Sequence, residues 1–262
     1  LALTDSLTAY YSFDTNADDE VGSNDGTVGG ATHITSGMKV GTGCYDFDGS
    51  NDYLSFSRLI TNYLSNFTIN FWGKYDSLVN NAAFFGMFYY DGTKRGYNFY
   101  WRSSDTRMIV YWRSSTNIAV APLYAFNDTN WHMFTILNDG TNIKLYDNGT
   151  YKTQATTPTG DLTTTSPFRL GCSANGGTRE NFLNGKIDSF GFWSRAITTT
   201  EISTLYNSGD GFNPIASTGT NLQINIGDSW KEVPAMKINI GDSWKDVASV
   251  KQNIGDSWKT VF

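Results

Sequence analysis

Three copies of one seven-residue block, NIGDSWK, occupy Asn225–Lys231, Asn239–Lys245 and Asn253–Lys259, fourteen residues apart. A valine follows each copy two residues after its lysine (Val233, Val247, Val261), and Ile224 and Ile238 precede the first two copies, where the third has Gln252. Ile-Asn-Ile before Gly-Asp-Ser, with Trp-Lys-x-Val after it, predicts two short strands around a tight turn, because Gly and Asp tolerate the turn's backbone angles. One such hairpin is too small to bury its own Ile, Trp and Val. Repeats of this kind gain a core by stacking on one another or on other chains. Residues 224–262 are therefore expected to form three 14-residue β-hairpins that serve assembly or attachment, through other copies of the chain or a particle scaffold. A short β-meander packed on the preceding domain is the alternative.

The remaining sequence is long enough, within 262 residues, to bury a core without staples. Aromatic residues at 15% against charged residues at 17%, with abundant Gly, Thr, Ser and Asn, point to strands and turns and to an all-β protein. A net charge of −6 argues against binding nucleic acid or an anionic membrane through bulk electrostatics. No apolar run approaches the roughly 20 residues of a membrane span, so membrane insertion is not expected. Leu1 opens the sequence without a charged-then-apolar leader, which implies a processed product or a piece of a longer one. Cys44 and Cys172 permit one disulfide, and buried thiols are equally compatible with the sequence.

Short runs rich in aromatic and β-branched residues recur between turn clusters, as sandwiches and barrels require. Strands are expected at Leu7–Asp14, Cys44–Phe47, Tyr53–Phe56, Phe67–Tyr75, Phe84–Tyr90, Tyr97–Arg102, Met108–Arg113, Trp131–Asn138, Asn142–Asp147, Phe168–Gly171 and Lys186–Trp193. Thr199–Tyr206 reads as a helix, capped by Thr199 or Thr200, with Gly209 beyond its stop. The domain organisation read from these signals is 1–212 as a globular domain, 213–223 as a linker and 224–262 as the repeats.

Several segments follow one another in a set order. These are Tyr11-Ser12-Phe13-Asp14 leading to Asp19-Glu20-Val21-Gly22, Phe47-Asp48-Gly49-Ser50-Asn51-Asp52-Tyr53-Leu54, Phe67-Thr68-Ile69-Asn70-Phe71-Trp72, and Trp131-His132. Leu145-Tyr146-Asp147-Asn148-Gly149 follows, then Gly185-Lys186-Ile187-Asp188-Ser189-Phe190-Gly191-Phe192-Trp193-Ser194-Arg195-Ala196, with Glu201-Ile202 and Leu205–Gly209 after it. In this order they resemble the laminin G-like form of the concanavalin A-like jelly roll, which implies a two-sheet antiparallel sandwich with one concave face. Residues 224–262 separately resemble the WK-containing repeats of phage and prophage tail proteins.

Glycosidases of this fold share a strand with Glu-x-Asp-x-x-Glu, which sets a nucleophile and an acid on one face. Glutamate occurs at Glu20, Glu180, Glu201 and Glu232, and none begins or ends that pattern. Neither His33 nor His132 reads as part of a constellation with Ser, Cys or Asp, so the expected protein is not an enzyme. Tyr100-Trp101-Arg102-Ser103-Ser104 and Tyr111-Trp112-Arg113-Ser114-Ser115 become adjacent antiparallel strands when Ser103–Arg107 turns. Tyr97, Phe99 and Trp101 then share one face. The opposite face, with Tyr100, Arg102, Tyr111 and Arg113, mixes stacking surfaces with donors, which suits a glycan or cell-surface polysaccharide. Cross-strand pairing that stabilises the sheet explains the same residues without a ligand.

Many members of the fold hold a structural calcium through an acid in the last strand, which the resemblance matches to Asp188. The loop with Asp14, Asp18, Asp19 and Asn24 would add oxygens toward the six to eight that Ca2+ takes, or would be a turn bonding its own backbone. The combined expectation is a lectin-like surface protein, extracellular or on a virion such as a phage tail fibre. An adhesin or carbohydrate-binding module of a larger secreted protein, and a structural protein without ligand, are the alternatives.

Overall fold

A computed structural model describes residues 2–57, 66–79, 81–89, 95–113, 118–157, 166–175 and 178–216, with the backbone of short strands between 222 and 260. The chain divides into two compact units, Leu1–Pro214 and Ile215–Phe262.

In the first unit the strands are β1 (Leu7–Tyr11), β2 (Thr27–Gly29), β3 (Thr32–Ile34), β4 (Cys44–Asp48), β5 (Tyr53–Phe56), β6 (Asn66–Tyr75), β7 (Ala83–Tyr89), β8 (Arg95–Arg102) and β9 (Arg107–Arg113). There follow β10 (Ile118–Ala125), β11 (His132–Asp139), β12 (Asn142–Asp147), β13 (Thr150–Thr156), β14 (Phe168–Leu170), β15 (Ser173–Asn175), β16 (Thr178–Glu180), β17 (Asn184–Trp193) and the helix α1 (Thr199–Tyr206). An eight-stranded antiparallel sheet runs β13-β12-β11-β6-β17-β4-β3, with β1 also on β17. A seven-stranded antiparallel sheet runs β10-β9-β8-β7-β14-β5-β2, and β15 and β16 form a hairpin of their own. The all-β sandwich expected from the sequence is the observed architecture.

Period-two alternation builds the core. Phe67, Ile69 and Phe71 of β6, Phe134 and Ile136 of β11 and Phe190 and Phe192 of β17 turn inward from one sheet. Phe85 and Met87 of β7, Tyr97, Phe99 and Trp101 of β8 and Phe168 and Leu170 of β14 turn inward from the other. Rings meet across the layers: Phe99 and Phe134 lie 5.1 Å apart edge to face, Phe168 and Phe190 5.5 Å, and Phe67 stacks on Trp112 at 5.2 Å. Each such side chain contributes about 1.5–3 kcal/mol by leaving water, and the edge-to-face and offset contacts orient the layers.

Two local readings are corrected. The first strand stops at Tyr11 rather than Asp14, because the backbone turns into the left-handed region at Phe13 (φ 61°). The helix cap is Thr198, neither Thr199 nor Thr200. Its hydroxyl accepts from the Glu201 N–H at 3.2 Å while Glu201 accepts from the Thr198 N–H at 2.7 Å, a reciprocal capping box. The helix ends on Asn207 in the left-handed conformation, ahead of Gly209. Cys44 and Cys172 are both buried free thiols.

In the second unit the backbone forms three two-stranded ribbons: β18 (Leu222–Ile226) with β19 (Ser229–Val233), β20 (Lys237–Ile240) with β21 (Ser243–Asp246), and β22 (Lys251–Asn253) with β23 (Trp258–Thr260). Each repeat places its Asn opposite its Trp, as Asn225↔Trp230, Asn239↔Trp244 and Asn253↔Trp258.

Candidate functional site

The hairpin anticipated around residues 100 and 111 forms in the seven-stranded sheet, with Asn98 opposite Tyr111, Tyr100 opposite Ile109 and Arg102 opposite Arg107. Tyr97, Trp101 and Trp112 are buried inward. Asn98, Tyr100, Arg102 and Tyr111 lie on the outer face, each half-buried. Burial raises the Tyr100 hydroxyl above its ordinary value, with the Arg102 charge opposing. Arg113 is in register with Gly96, and its side chain lies outside the described residues. Arg102 is partly committed: its Nε donates to Asp105 Oδ1 at 2.8 Å and its Nη2 to Asp105 Oδ2, which ties down the turn. Arg107 lies 3.8 Å from the same carboxylate.

Successive pairings carry the outer face across the sheet in one row: Tyr111, Asn98, Gly86, Arg169, Ser55 and Thr27. Arg169 sits between the inward Phe168 and Leu170, so alternation sends it outward. Its Nε and the Oδ1 of Asn98 are buried without hydrogen-bond partners. At Gly86, between them, an added Cβ would stand 2.5 Å from Asn98 Oδ1 and 2.8 Å from the Ser173 backbone, so glycine is what lets the start of β15 cross the face. The β15–β16 hairpin brings Arg179 over the ring of Tyr53, 4.3 Å from its centroid. The face thus combines a hairpin wall, tyrosine surfaces and unsatisfied polar groups. Orphaned buried polar atoms are uncommon in folded proteins, and Asn24 Nδ2, Tyr97 OH, Trp112 Nε1 and Asp188 Oδ1 share this state outside the row. Sequence reading missed Arg169, whose one signal is a polar residue alternating between two buried apolar ones.

The three acids expected at a calcium site have different fates. Asp19 Oδ1 accepts from the N–H groups of Tyr10 (3.1 Å), Val21 (3.1 Å) and Gly22 (3.0 Å), and its Oδ2 from Asn24 (3.2 Å). That carboxylate is a loop staple surrounded by donors. Asp14 accepts from the Thr42 N–H and, at 3.2 Å, from its hydroxyl. Asp188 is fully buried where β17 changes partner from β4 to β1 across a bulge. Its Oδ2 fills the gap in the ladder by accepting from Lys39 N–H (2.7 Å) and Val40 N–H (2.8 Å), and its Oδ1 has no partner. Burial pushes the Asp188 carboxyl up to about 7, against the two backbone donors, and the Asp14 charge adds to the rise. Among the described residues no three acidic, histidine or cysteine side chains gather around one point. Asp188 Oδ1 alone fits a cation, and the set as a whole does not supply the oxygens Ca2+ takes.

His132 corrects the sequence reading, for it does sit in a constellation. Its Nδ1 lies 2.7 Å from Asp147, its Nε2 3.2 Å from Asp128, and the Tyr124 hydroxyl donates to Asp147 at 3.1 Å. Burial lowers the imidazole's proton affinity, yet the two carboxylates win and the net shift is upward. No nucleophile faces this group among the contacts described, and it fastens β11 to the end of β12. His33, in β3, lies 2.9 Å from the Phe13 carbonyl and edge-on to Tyr45.

A family described as laminin G type 3, of the concanavalin A-like lectin/glucanases superfamily, matches residues 48–203. The chain belongs to this family. No curated protein is significantly similar to it in sequence. Among solved structures, this laminin G type 3 domain is similar to domain 4 of a GH43 extracellular arabinanase from Geobacillus stearothermophilus, in complex with arabinotriose. That likeness has a TM-score of 0.62 and 19% identity over 76% of this chain and 97% of that one. The receptor binding domain of botulinum neurotoxin D is similar with a TM-score of 0.63 and 18% identity, over 78% of this chain and 53% of the other. The binding domain of Paraclostridial Mosquitocidal Protein 1 gives a TM-score of 0.61 and 16% identity, over 78% and 52%. The chain spans about half the length of these toxin domains. At such identities the likeness is one of fold.

Proposed function

We propose that the Leu1–Pro214 unit is a carbohydrate-recognition domain whose ligand lies on the outer face of the seven-stranded sheet. The observation that carries this reading is the outer face of the β8–β9 hairpin, where the half-buried Tyr100 and Tyr111 stand beside Asn98 and Arg102. Tyrosine faces stack on sugar C–H surfaces, and the amide and guanidinium meet hydroxyls. The arabinanase domain supports the reading, since almost its whole length corresponds to this fold and it is in complex with arabinotriose. The proposed role is binding rather than catalysis, because the strands carry no pair of glutamates on one face, and the proposed site of action is outside the cell or on a virion surface.

The test is calorimetric titration of the full chain with a panel of oligosaccharides, arabinan fragments included, alongside Tyr100→Ala and Tyr111→Ala. Each substitution is expected to weaken binding about tenfold at most, the worth of about 0.5–1.5 kcal/mol per stacked ring. Binding indifferent to both variants removes the face from the proposal. Calcium is not routed through this site. Ligand binding is expected to survive a chelator, and a calcium-induced rise in melting temperature that disappears in Asp188→Asn would assign the cation to the orphan oxygen instead.

The repeats are proposed to attach the domain to other copies of itself or to a particle, as their resemblance to phage tail repeats suggests. Deleting residues 217–262 is expected to leave a folded monomer of lower solution mass per particle, and a species whose subunit number is unchanged would remove the oligomer. That the arabinanase relative is one domain of a larger extracellular enzyme favours, as a second reading, a carbohydrate-binding module within a larger secreted protein.

A further inference from the structure

We infer that the ligand of the seven-stranded face is an acidic polysaccharide bearing uronate carboxylates, and that Arg169 reads its charge. This rests on the carbohydrate reading above and adds the chemical class.

The two sheets divide the charges unequally. The strands of the seven-stranded sheet contain Arg95, Arg102, Arg107, Arg113 and Arg169 and no aspartate or glutamate. The strands of the eight-stranded sheet contain Lys74, Lys144, Lys152 and Lys186 against Asp46, Asp48, Asp139, Asp147 and Asp188. On that sheet most cations already have anions: Lys74 with Asp76 at 3.0 Å, Lys144 with Asp139 at 2.8 Å, and Lys186 with Asp46 at 2.9 Å and Asp76 at 2.6 Å. An all-arginine sheet in a chain of net charge −6 is a local exception.

The residue type matters as well. Arginine presents a planar fork that matches a carboxylate with two parallel hydrogen bonds, whereas lysine is a point charge. Arg102 and Arg107 share Asp105, so their charge is partly spent. Arg169 is different: its register neighbours are Ser55 and Gly86, neither of them acidic, and its Nε is a buried donor without an acceptor. That Nε is screened from solvent, so a carboxylate would meet the terminal nitrogens of the half-buried Arg169 side chain. Asn98 Oδ1, a second buried acceptor, lies over Gly86 on the neighbouring strand, beneath the start of β15. Arg179 beside Tyr53 adds a second cation at the edge of the face, with Glu180 next to it on β16. A nucleic acid would call for many phosphate contacts along a basic stripe, and the net negative chain with one guanidinium free of acidic register neighbours, on the fifth of seven strands, favours the glycan.

The experiment titrates the full chain with oligogalacturonate, oligoalginate, methyl-esterified oligogalacturonate, a sulfated glycosaminoglycan fragment, a neutral arabinan fragment and single-stranded DNA. At least one uronate oligomer is expected to bind, at least tenfold more tightly than its neutral ester where the pair is compared, and more weakly as salt rises. Arg169→Gln and Arg169→Lys are each expected to lose tenfold or more, because a charge-assisted bidentate contact is absent in both. Arg179→Gln, at an exposed site that does not hold the fold, should lose severalfold and keeps the inference testable should the Arg169 variants unfold. Lys144→Gln, on the other sheet, should bind like the parent. Equal binding of ester and acid, preference for the sulfated fragment or for DNA, or a neutral glycan held independently of Arg169 and Arg179 would overturn the uronate assignment while a bound glycan still upholds carbohydrate recognition. Binding to no sugar in the panel would overturn both.

Discussion

The two sheets of the sandwich share an inner logic and differ in their outer faces. Inward, both alternate Phe, Ile, Leu and aromatic residues, and the rings interlock across the layers. Outward, the eight-stranded sheet pairs most of its charges: Lys186 spans Asp46 and Asp76, Lys144 meets Asp139, and Asp188 accepts from the N–H groups of residues 39 and 40 through one oxygen while the other has no partner. The helix side is closed too, with Trp72 stacked on Tyr206 at 5.9 Å. The seven-stranded sheet leaves Arg169 Nε and Asn98 Oδ1 without partners beside half-buried tyrosines. The same fold rule therefore builds one layer whose outward charges are mostly paired and another whose outward Arg169 has no acidic register neighbour.

Substitutions should separate the two roles. The largest effect is expected inside: Phe134→Ala, at the contact of both layers, should cost about 3–5 kcal/mol in denaturant unfolding through lost transfer energy and a cavity. Next comes Glu201, whose carboxyl the Arg195 guanidinium holds down at about 2 against the opposing effect of burial. A depressed carboxyl contributes stability above its unfolded value and loses it as pH falls toward the folded one. Glu201→Gln should therefore cost about 2 kcal/mol at pH 7, and the gap to the parent should close as the pH approaches 2. Tyr111→Ala should weaken the sugar complex while costing less stability than Phe134→Ala, because its ring is half-buried on the outer face rather than packed in the core.

The smallest effect belongs to His132. Its proton affinity is raised, so its contribution is complete below the ordinary histidine range and lost as pH rises through the folded value. Thermal melts of the parent should decline on that alkaline side, and His132→Gln should flatten the decline. A Glu201 or His132 variant that lost sugar binding without losing stability, or a Tyr111 variant that unfolded, would break the division between the sheets.

Much of the scaffold was legible because alternation is local. Phe67–Tyr75 was read within one residue of β6, and Thr199–Tyr206 coincides with α1. The cap was misassigned although the Thr198-x-x-Glu201 spacing of a capping box was present in the sequence. Strand β13, Thr150–Thr156, escaped because an exposed edge strand needs no apolar face, and β10 because Pro122 interrupts it where the register with β9 shifts. The site was legible only in part. Tyr100 and Tyr111 belong to one hairpin and could be paired by eye, whereas Arg169 joins them through β7 from more than fifty residues away in the sequence. Asp19 read as a metal ligand because sequence shows the acid but not the four N–H groups that turn toward it.

The most direct test is amide hydrogen exchange across the full chain with and without saturating oligogalacturonate or arabinan fragment. Added protection in residues 95–113 and 168–180, with β11, β12 and β13 unchanged, is the expected result. Protection confined to the eight-stranded sheet, or no change with any sugar that calorimetry shows to bind, would contradict the assignment of recognition to the seven-stranded face.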